Sequence, residues 1–400
     1  MSFPAVNREQ IKVCDIVQSY GEVSGGVKRY VHDKMEYVSD RQDKIAHVLI
    51  IPGEECNERR EHGSRIYTVT SPPIPGSKGY RFLLNAERMM EIIRTESPDI
   101  IEVGNAYWPA WVSIKAGKSN NIPVVGFYHS DFPRAVGDKL SSMLKASGVG
   151  EIVTDTMEAY LAGLYNQMTA VVTATRRFQV MLEKMGIDNV VRIPLGTDTQ
   201  VFKPTASARE DIFAELDLDE NTFLLLYAGR FAGMKNIPKL IRMMAYLHDA
   251  PKPVHLVLMG DGEYEEEVLN AQRRRDDITR MPYCTDPKQL AKWYTAADLF
   301  VNPGTRETFG LVAVEAQACG TRVLGVKDGG MDEVLEGEAP LIMAESQHPD
   351  HLAQAVKTVI DLDEDEQTER KRRRRIETHF SIEKNFDTLF NLYRRLSSKP

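Results

Sequence analysis

Glu307 and Glu315, with seven residues between them, lie in the segment NPGTRETFGLVAVEAQACG (Asn302–Gly320). A strand-like run ends at Pro303, a loop brings up Glu307, and the pattern predicts a helix starting near Phe309. The backbone N–H groups of Phe309, Gly310, Leu311 and Val312 would then sit at a helix N-terminus. Free donors and the positive end of the helix dipole there favour an anion such as a diphosphate. A carboxylate in the preceding loop can accept hydrogen bonds from sugar hydroxyls, and one two turns along the helix can accept them from a ribose. Taken alone, the two glutamates also fit a helix with an acidic start and a solvated face; the surrounding residues decide for a ligand.

Two cations, Arg230 and Lys235, follow another strand-like run in YAGRFAGMKN (Tyr227–Asn236). Arginine offers a forked donor to phosphate and lysine a point charge. Together they can balance a leaving diphosphate, whose charge grows as a glycosidic bond breaks. Near the start of the chain, SYGEVSGGVKRY (Ser19–Tyr30) places Gly25 and Gly26 between a strand and a helix, where backbone can approach a ligand closely. The spacing is not GxGxxG, so a nicotinamide cofactor gains no support. GFYHSDFPR (Gly126–Arg134) ends a further strand-like run with His129 and Asp131. Such a histidine is often structural, and an aspartate in a loop can cap a turn. The DLD triplets at Asp217–Asp219 and Asp361–Asp363 read as solvated helix ends, and no HExxH spacing occurs, so no metal is expected.

These segments together resemble the retaining glycosyltransferases of family 4, which have the GT-B fold. That family sets a glutamate, then Gly-Phe-Gly-Leu, then a second glutamate at this spacing; here Thr308 stands where a small residue such as glycine is usual. PLGTDTQVFKP (Pro194–Pro204), LMGDG (Leu258–Gly262) and YTAADLFVNP (Tyr294–Pro303) are also similar to family segments. The resemblance implies Glu307 and His129 as catalytic residues. It implies Gly25, Gly26, Arg230, Lys235, Phe309, Gly310, Leu311 and Val312 around the donor diphosphate, Glu315 on the ribose and Asp131 toward the acceptor. It further implies a retaining hexosyl transfer, mannosyl or glucosyl, without a covalent glycosyl-enzyme and without metal or cofactor. The donor would be a nucleoside diphosphate sugar, with GDP-mannose favoured over UDP-glucose on the HSDFP loop. The acceptor would be a hydroxyl of a glycan, glycolipid or small molecule. A nucleotide-sugar epimerase or phosphorylase of the same fold, and a non-catalytic sugar-nucleotide-binding subunit, remain as alternatives.

Short β-branched runs alternating with helical stretches must position these residues. Ile11–Val17, Ile45–Ile51, Pro98–Gly104, Ile122–His129, Ala170–Ala174 and Val190–Pro194 read as strands of a parallel sheet covered on both faces. PLGTDTQVFKP reads as a linker, after which the alternation restarts through Thr222–Arg230, Pro253–Gly262, Ile278–Tyr283, Asp298–Pro303 and Thr321–Val326. The expectation is an α/β GT-B protein of two Rossmann-like domains facing across a cleft. Residues 1–194 would bind acceptor, residues 195–380 nucleotide sugar, and 381–400 would form a helix crossing back to the first domain. Open α/β sheets hold ligands at the carboxyl ends of their strands.

Composition is that of a globular protein, with 42% hydrophobic and 27% charged residues. Residues 1–195 carry 23 basic and 23 acidic side chains, so the net charge of -8 falls wholly on the second half. Neither half carries the basic footprint of a nucleic-acid binder. The run KRRRR (Lys371–Arg375) follows an acidic stretch and reads as a solvated helix face. Cys14, Cys56, Cys284 and Cys319 form no CxxC pair, which favours a reducing compartment. With no apolar run near the roughly eighteen residues a membrane span needs, a cytoplasmic enzyme with at most peripheral membrane contact is expected.

Overall fold

The computed structural model describes residues 10–21, 26–75, 79–129, 149–336, 342–362 and 364–398. The chain divides into two compact units. The first comprises Met1–Pro194 with Phe386–Pro400, the second Leu195–Asn385.

The strands of the first unit are β1 (Ile11–Ile16), β2 (Ile45–Gly53), β3 (Asn57–Glu61), β4 (Ser64–Thr70), β5 (Ile100–Val103), β6 (Val124–Tyr128), β7 (Ala170–Thr173) and β8 (Val190–Arg192). They form one sheet in the order β3-β4-β2-β1-β5-β6-β7-β8. Its helices are α1 (Gly26–Ser39), α2 (Ala86–Glu96), α3 (Trp108–Asn120), α4 (Val149–Tyr165) and α5 (Arg176–Lys184). The central strands β5, β6 and β7 are buried at every position, as a sheet covered on both faces requires. Local chemistry sets the helix starts: the Asn85 side chain accepts from Arg88 N, and the Thr175 side chain from Phe178 N.

The sheet is not wholly parallel. β3 pairs antiparallel with β4 through a turn at His62 and Gly63, both at positive φ. The sequence pattern does not disclose this hairpin, because NERRE is almost entirely charged and exposed, without the apolar alternation that marks a half-buried strand.

The second unit contains β9 (Phe223–Ala228), β10 (Val254–Met259), β11 (Ile278–Met281), β12 (Leu299–Val301), β13 (Arg322–Val326) and β14 (Met343–Ala344). All pairings are parallel, in the order β11-β10-β9-β12-β13-β14. Numbered from β9, that order is 3-2-1-4-5-6, the doubly wound arrangement whose direction reverses between β9 and β12. The helices are α6 (Ala208–Glu215), α7 (Ile237–Met243), α8 (Glu265–Arg274), α9 (Pro287–Ala296), α10 (Leu311–Ala318), α11 (Asp332–Leu335), α12 (Pro349–Asp361) and α13 (Glu366–His379). A last helix, α14 (Ile382–Ser397), packs Phe386, Leu389, Phe390 and Tyr393 into the first unit.

The units divide between Pro194 and Leu195, at the start of the segment expected to link them, and that segment is packed, not loose. Thr197 pairs with Ser381, its N–H donates to Phe380 O at 2.9 Å, and Phe202 is fully buried against Tyr294. Its turn residues bend the chain, but its apolar residues and backbone groups bind it to the second unit. The run Lys371–Arg375 is likewise not a purely solvated face. Arg372 is buried, donating to Gly320 O at 2.6 Å and pairing with Glu364, and Arg375 donates to three oxygens. Carbonyls and a carboxylate on neighbouring segments meet these two guanidinium groups, which composition alone does not reveal. Among the described residues no helix is long and apolar enough to cross a membrane.

Candidate functional site

The reversal of strand order in the second sheet puts the carboxyl ends of β9 and β12 side by side, and both lead into loops rich in polar groups. After β9 come Arg230, which is exposed, and Lys235, which turns inward. After β12 come Asn302 and Glu307. The Lys235 ammonium donates to Glu307 Oε1, and Asn302 Nδ2 donates to the same oxygen at 3.0 Å. A third contact fixes the Lys235 loop: Asn236 Nδ2 donates to Pro303 O at 2.9 Å. Burial pushes the Glu307 carboxyl up, but Lys235 and Asn302 outweigh it and hold the group below its ordinary value. Glu307 is therefore a carboxylate at neutral pH, able only to accept hydrogen bonds.

The loop after β13 presses on Glu307 from the other side. Glu307 N donates to Gly329 O at 2.9 Å. Gly330 has φ +98°, and a Cβ there would stand 1.9 Å from Glu307 O, so both conformation and space exclude a side chain. Asn302 Nδ2 also reaches Met331 Sδ at 3.4 Å.

Helix α10 begins at Leu311, two residues later than the sequence predicts. Gly310 is its N-cap, in the left-handed region at φ +92°. Phe309 precedes the helix; it is 2% exposed and meets Phe380 edge to face at 5.8 Å. Leu311 and Val312, both half-buried, supply the first N–H groups of the helix, which lack a partner one turn back. Glu315 lies further along, 5% exposed, with Oε2 accepting from the Tyr294 hydroxyl at 3.2 Å. Cations at a strand end, a paired carboxylate and open helix donors can together hold a polar ligand with an anionic centre.

The first unit has its own reversal, between β1 and β5. A cavity of about 710 Å³ opens there, lined in part by Gln18, Ser19, Tyr80, Phe82, Tyr107 and Trp108. His129 follows β6, its ring stacked on Phe127 at 4.0 Å and edge-on to Tyr30 at 5.0 Å. Its Nε2 is shielded and has no hydrogen-bond partner among the described residues. Burial, then the Lys34 ammonium, push the imidazole down to about 3 against a weaker upward pull from Asp15, so it is neutral at physiological pH. Gly26 is the first residue of α1, and a Cβ there would meet nothing within 4 Å among the described residues. Gly25 and Asp131 lie outside the described residues.

Beneath His129 is a buried charge network. Lys34 Nζ donates to Asp15 Oδ2 and to Glu102 Oε1, each at 2.9 Å. Asp15 also meets His47 Nε2 at 3.1 Å. Tyr30 donates to Glu102 at 3.1 Å, and Tyr393 donates to it from α14. Burial raises the Asp15 carboxyl, but Lys34 and His47 draw it below its usual value; Glu102 stays raised, by burial and by Asp15.

Two families match the chain: Glycosyltransferase Family 4 over residues 24–201 and Glycosyl transferases group 1 over residues 208–378. The chain belongs to the family 4 glycosyltransferases. Among similar proteins, the GDP-mannose-dependent alpha-(1-6)-phosphatidylinositol dimannoside mannosyltransferase of Mycobacterium tuberculosis is 26% identical over 376 residues, 91% of this chain and 90% of that one. The D-inositol 3-phosphate glycosyltransferase of Pseudarthrobacter chlorophenolicus is 33% identical over 183 residues, 44% of this chain and 42% of that one. In structure the chain is similar to sucrose-phosphate synthase from Thermosynechococcus elongatus, at a TM-score of 0.77 and 22% identity, covering 97% of this chain and 99% of the other. The fold is GT-B, with two Rossmann-like α/β units, and this glycosyltransferase is an enzyme.

Three contributors to the candidate site are not apparent from the sequence. Asn302 lies inside the NPGTRETFG segment without an evident role, though its place at a strand end in a doubly wound sheet is a signal. Gly329–Met331 is marked only by the turn-forming Asp328-Gly329-Gly330 after β13. Tyr294 opens the family-like YTAADLFVNP segment, but its contact with Glu315 is tertiary and does not show there.

Proposed function

We propose that this enzyme moves a hexosyl unit, mannosyl or glucosyl, from a nucleoside diphosphate sugar to an acceptor hydroxyl on a glycan, glycolipid or small molecule, with retention of anomeric configuration. The reading rests first on the convergence of Lys235, Asn302 and Glu307 at the reversal point of the second sheet, with Arg230 on the same strand-end loop. Arg230, Lys235 and the N–H groups opening α10 would take the diphosphate. Glu307 would accept from hydroxyls of the sugar and Glu315 from those of the ribose. The bond from the anomeric carbon to the phosphate oxygen breaks as the acceptor oxygen bonds that carbon on the same face. The acceptor proton passes to the departing phosphate oxygen. Positioning and charge stabilisation then carry most of the rate. In the first unit His129, neutral and with no partner for Nε2 among the described residues, would exchange a hydrogen bond with a sugar hydroxyl, and Asp131 would serve the acceptor. Neither metal nor cofactor is needed in this scheme, since the two cations meet the growing charge. GDP-mannose is preferred over UDP-glucose as donor, in keeping with the mycobacterial relative's name.

The test is a thermal-unfolding screen of nucleoside diphosphate sugars. A bound donor raises the unfolding midpoint by mass action. GDP-mannose should give the largest rise, and NMR of the slow hydrolysis that follows should show the α-anomer released first. The proposal fails if no nucleoside diphosphate sugar shifts the midpoint, or if the β-anomer appears first.

A further inference from the structure

Helix α11 is only four residues long, too short to hold its place by its own hydrogen bonds. It follows directly on the Gly329–Met331 loop that braces Glu307. The two are coupled: Gly330 N and Asp328 N each donate to the Asp332 carboxylate at 3.3 Å, and Leu335 N donates to Met331 O at 3.0 Å. Whatever fixes α11 therefore fixes the loop, and with it Glu307.

Arg375, on α13, is the group that grips it. Its Nη2 donates to Val334 O at 2.5 Å and its Nη1 to Glu336 O at 2.9 Å, closing two carbonyls at the end of the short helix. The same Nη2 donates to the side-chain oxygen of Gln317, which is fully buried on α10. The guanidinium also stands 5.7 Å from the centre of the Phe380 ring, which packs on Phe309 just before α10. One planar group thus spans the helix that carries Glu315 and the element that carries the Glu307 brace. Lysine, with a compact ammonium, cannot present that fork to three oxygens at once.

We propose that Arg375 is a positioning residue for donor binding, locking α11 to α10 so that Glu307 and the first N–H groups of α10 keep a fixed spacing. The inference rests on the donor reading above. Arg372 supplies a control on the same helix: the contacts described for it tie Gly320 O and Glu364 together, away from α11.

Two measurements test it on the full chain. In calorimetry with GDP and with UDP, Arg375→Met should weaken the binding seen in the unsubstituted protein at least tenfold, and Arg375→Lys at least threefold. Arg372→Met should change it less than threefold, although both methionine variants lower the unfolding midpoint. If Arg372→Met does not fold, Arg373→Met replaces it, since Arg373 pairs only with Glu377 among the contacts described. Without ligand, amide hydrogen exchange across residues 304–312 and 328–336 should quicken in the Arg375 variants and not in the control. Unchanged nucleotide affinity and exchange in Arg375→Lys overturn the proposal, as does an equal loss in the control. Absence of nucleotide binding in the unsubstituted protein sinks the donor reading instead, and the exchange comparison still decides whether Arg375 holds the loop.

Discussion

Lys235 has two claims on its charge. It holds Glu307 ionised, and in the proposed complex it also faces a phosphate. Arg230 has no such tie to Glu307, so the two cations should differ in effect. Arg230→Ala should cost about 2 kcal/mol of nucleoside diphosphate affinity, the worth of a charge-assisted hydrogen bond. Lys235→Ala should cost at least as much, because it also leaves the Glu307 carboxylate without its cation. The double variant should bind roughly a thousandfold more weakly, and wild-type affinity by calorimetry would remove both from the site. His129 permits a separate test by pH. Its folded pKa of about 3 lies far below the ordinary value for histidine, so between about pH 3 and 6.5 the unfolded chain binds a proton that the folded chain refuses. Its contribution is fully present above that window and is lost as pH falls through it. Denaturant unfolding should show wild type losing up to about 2 kcal/mol more than His129→Gln between pH 7 and pH 5. Parallel profiles for the two proteins would show that the imidazole is not held neutral.

Among the elements, the first unit is joined through one buried ammonium. Lys34 comes from α1, Asp15 from β1 and Glu102 from β5, while Tyr393 brings α14 to the same carboxylate. Replacing Lys34 with methionine leaves two carboxylates buried without their cation, which costs roughly 3–5 kcal/mol. We expect Lys34→Met to lower unfolding stability by that amount, and Lys34→Met with Asp15→Asn and Glu102→Gln to recover part of it; a single variant as stable as wild type would deny the network its structural role. Such a network is not legible in the sequence, since nothing at Asp15, Lys34 or Glu102 distinguishes it from surface charge. Strands such as FLLLYA are legible, because a short continuous apolar run between turn residues suits a strand buried on both faces. Glu307, Arg230 and Lys235 are legible for a related reason: they sit just past strand ends, where a doubly wound sheet gathers its ligand groups. The start of α10 falls two residues beyond the expected place because Phe309 looks helical in composition but packs on Phe380 instead. The roles of Arg372 and Arg375 are hidden because Gly320 O, Val334 O, Glu336 O and the Gln317 side chain, which they grip, lie 39 or more residues away.

For the whole molecule, the proposed chemistry makes the source of positive charge the protein itself. Turnover should therefore survive excess EDTA, and manganese added back should change it less than twofold. Loss of turnover in EDTA, restored by manganese, would assign the phosphate charge to a metal. A different property follows from the hairpin at the rim of the first sheet. β4, reading SRIYTVT, is apolar enough to template another strand, and an uncovered β4 would offer its free N–H and C=O groups to any neighbouring chain. β3 occupies that edge with NERRE, whose first four residues are exposed and whose charges resist further stacking. The hairpin should thus govern how the protein behaves in company, its charges opposing growth of concentrated molecules edge upon edge. Replacing the exposed charges Glu58 and Arg60 of β3 with valine should leave a folded chain that precipitates at concentrations where the unsubstituted one stays clear.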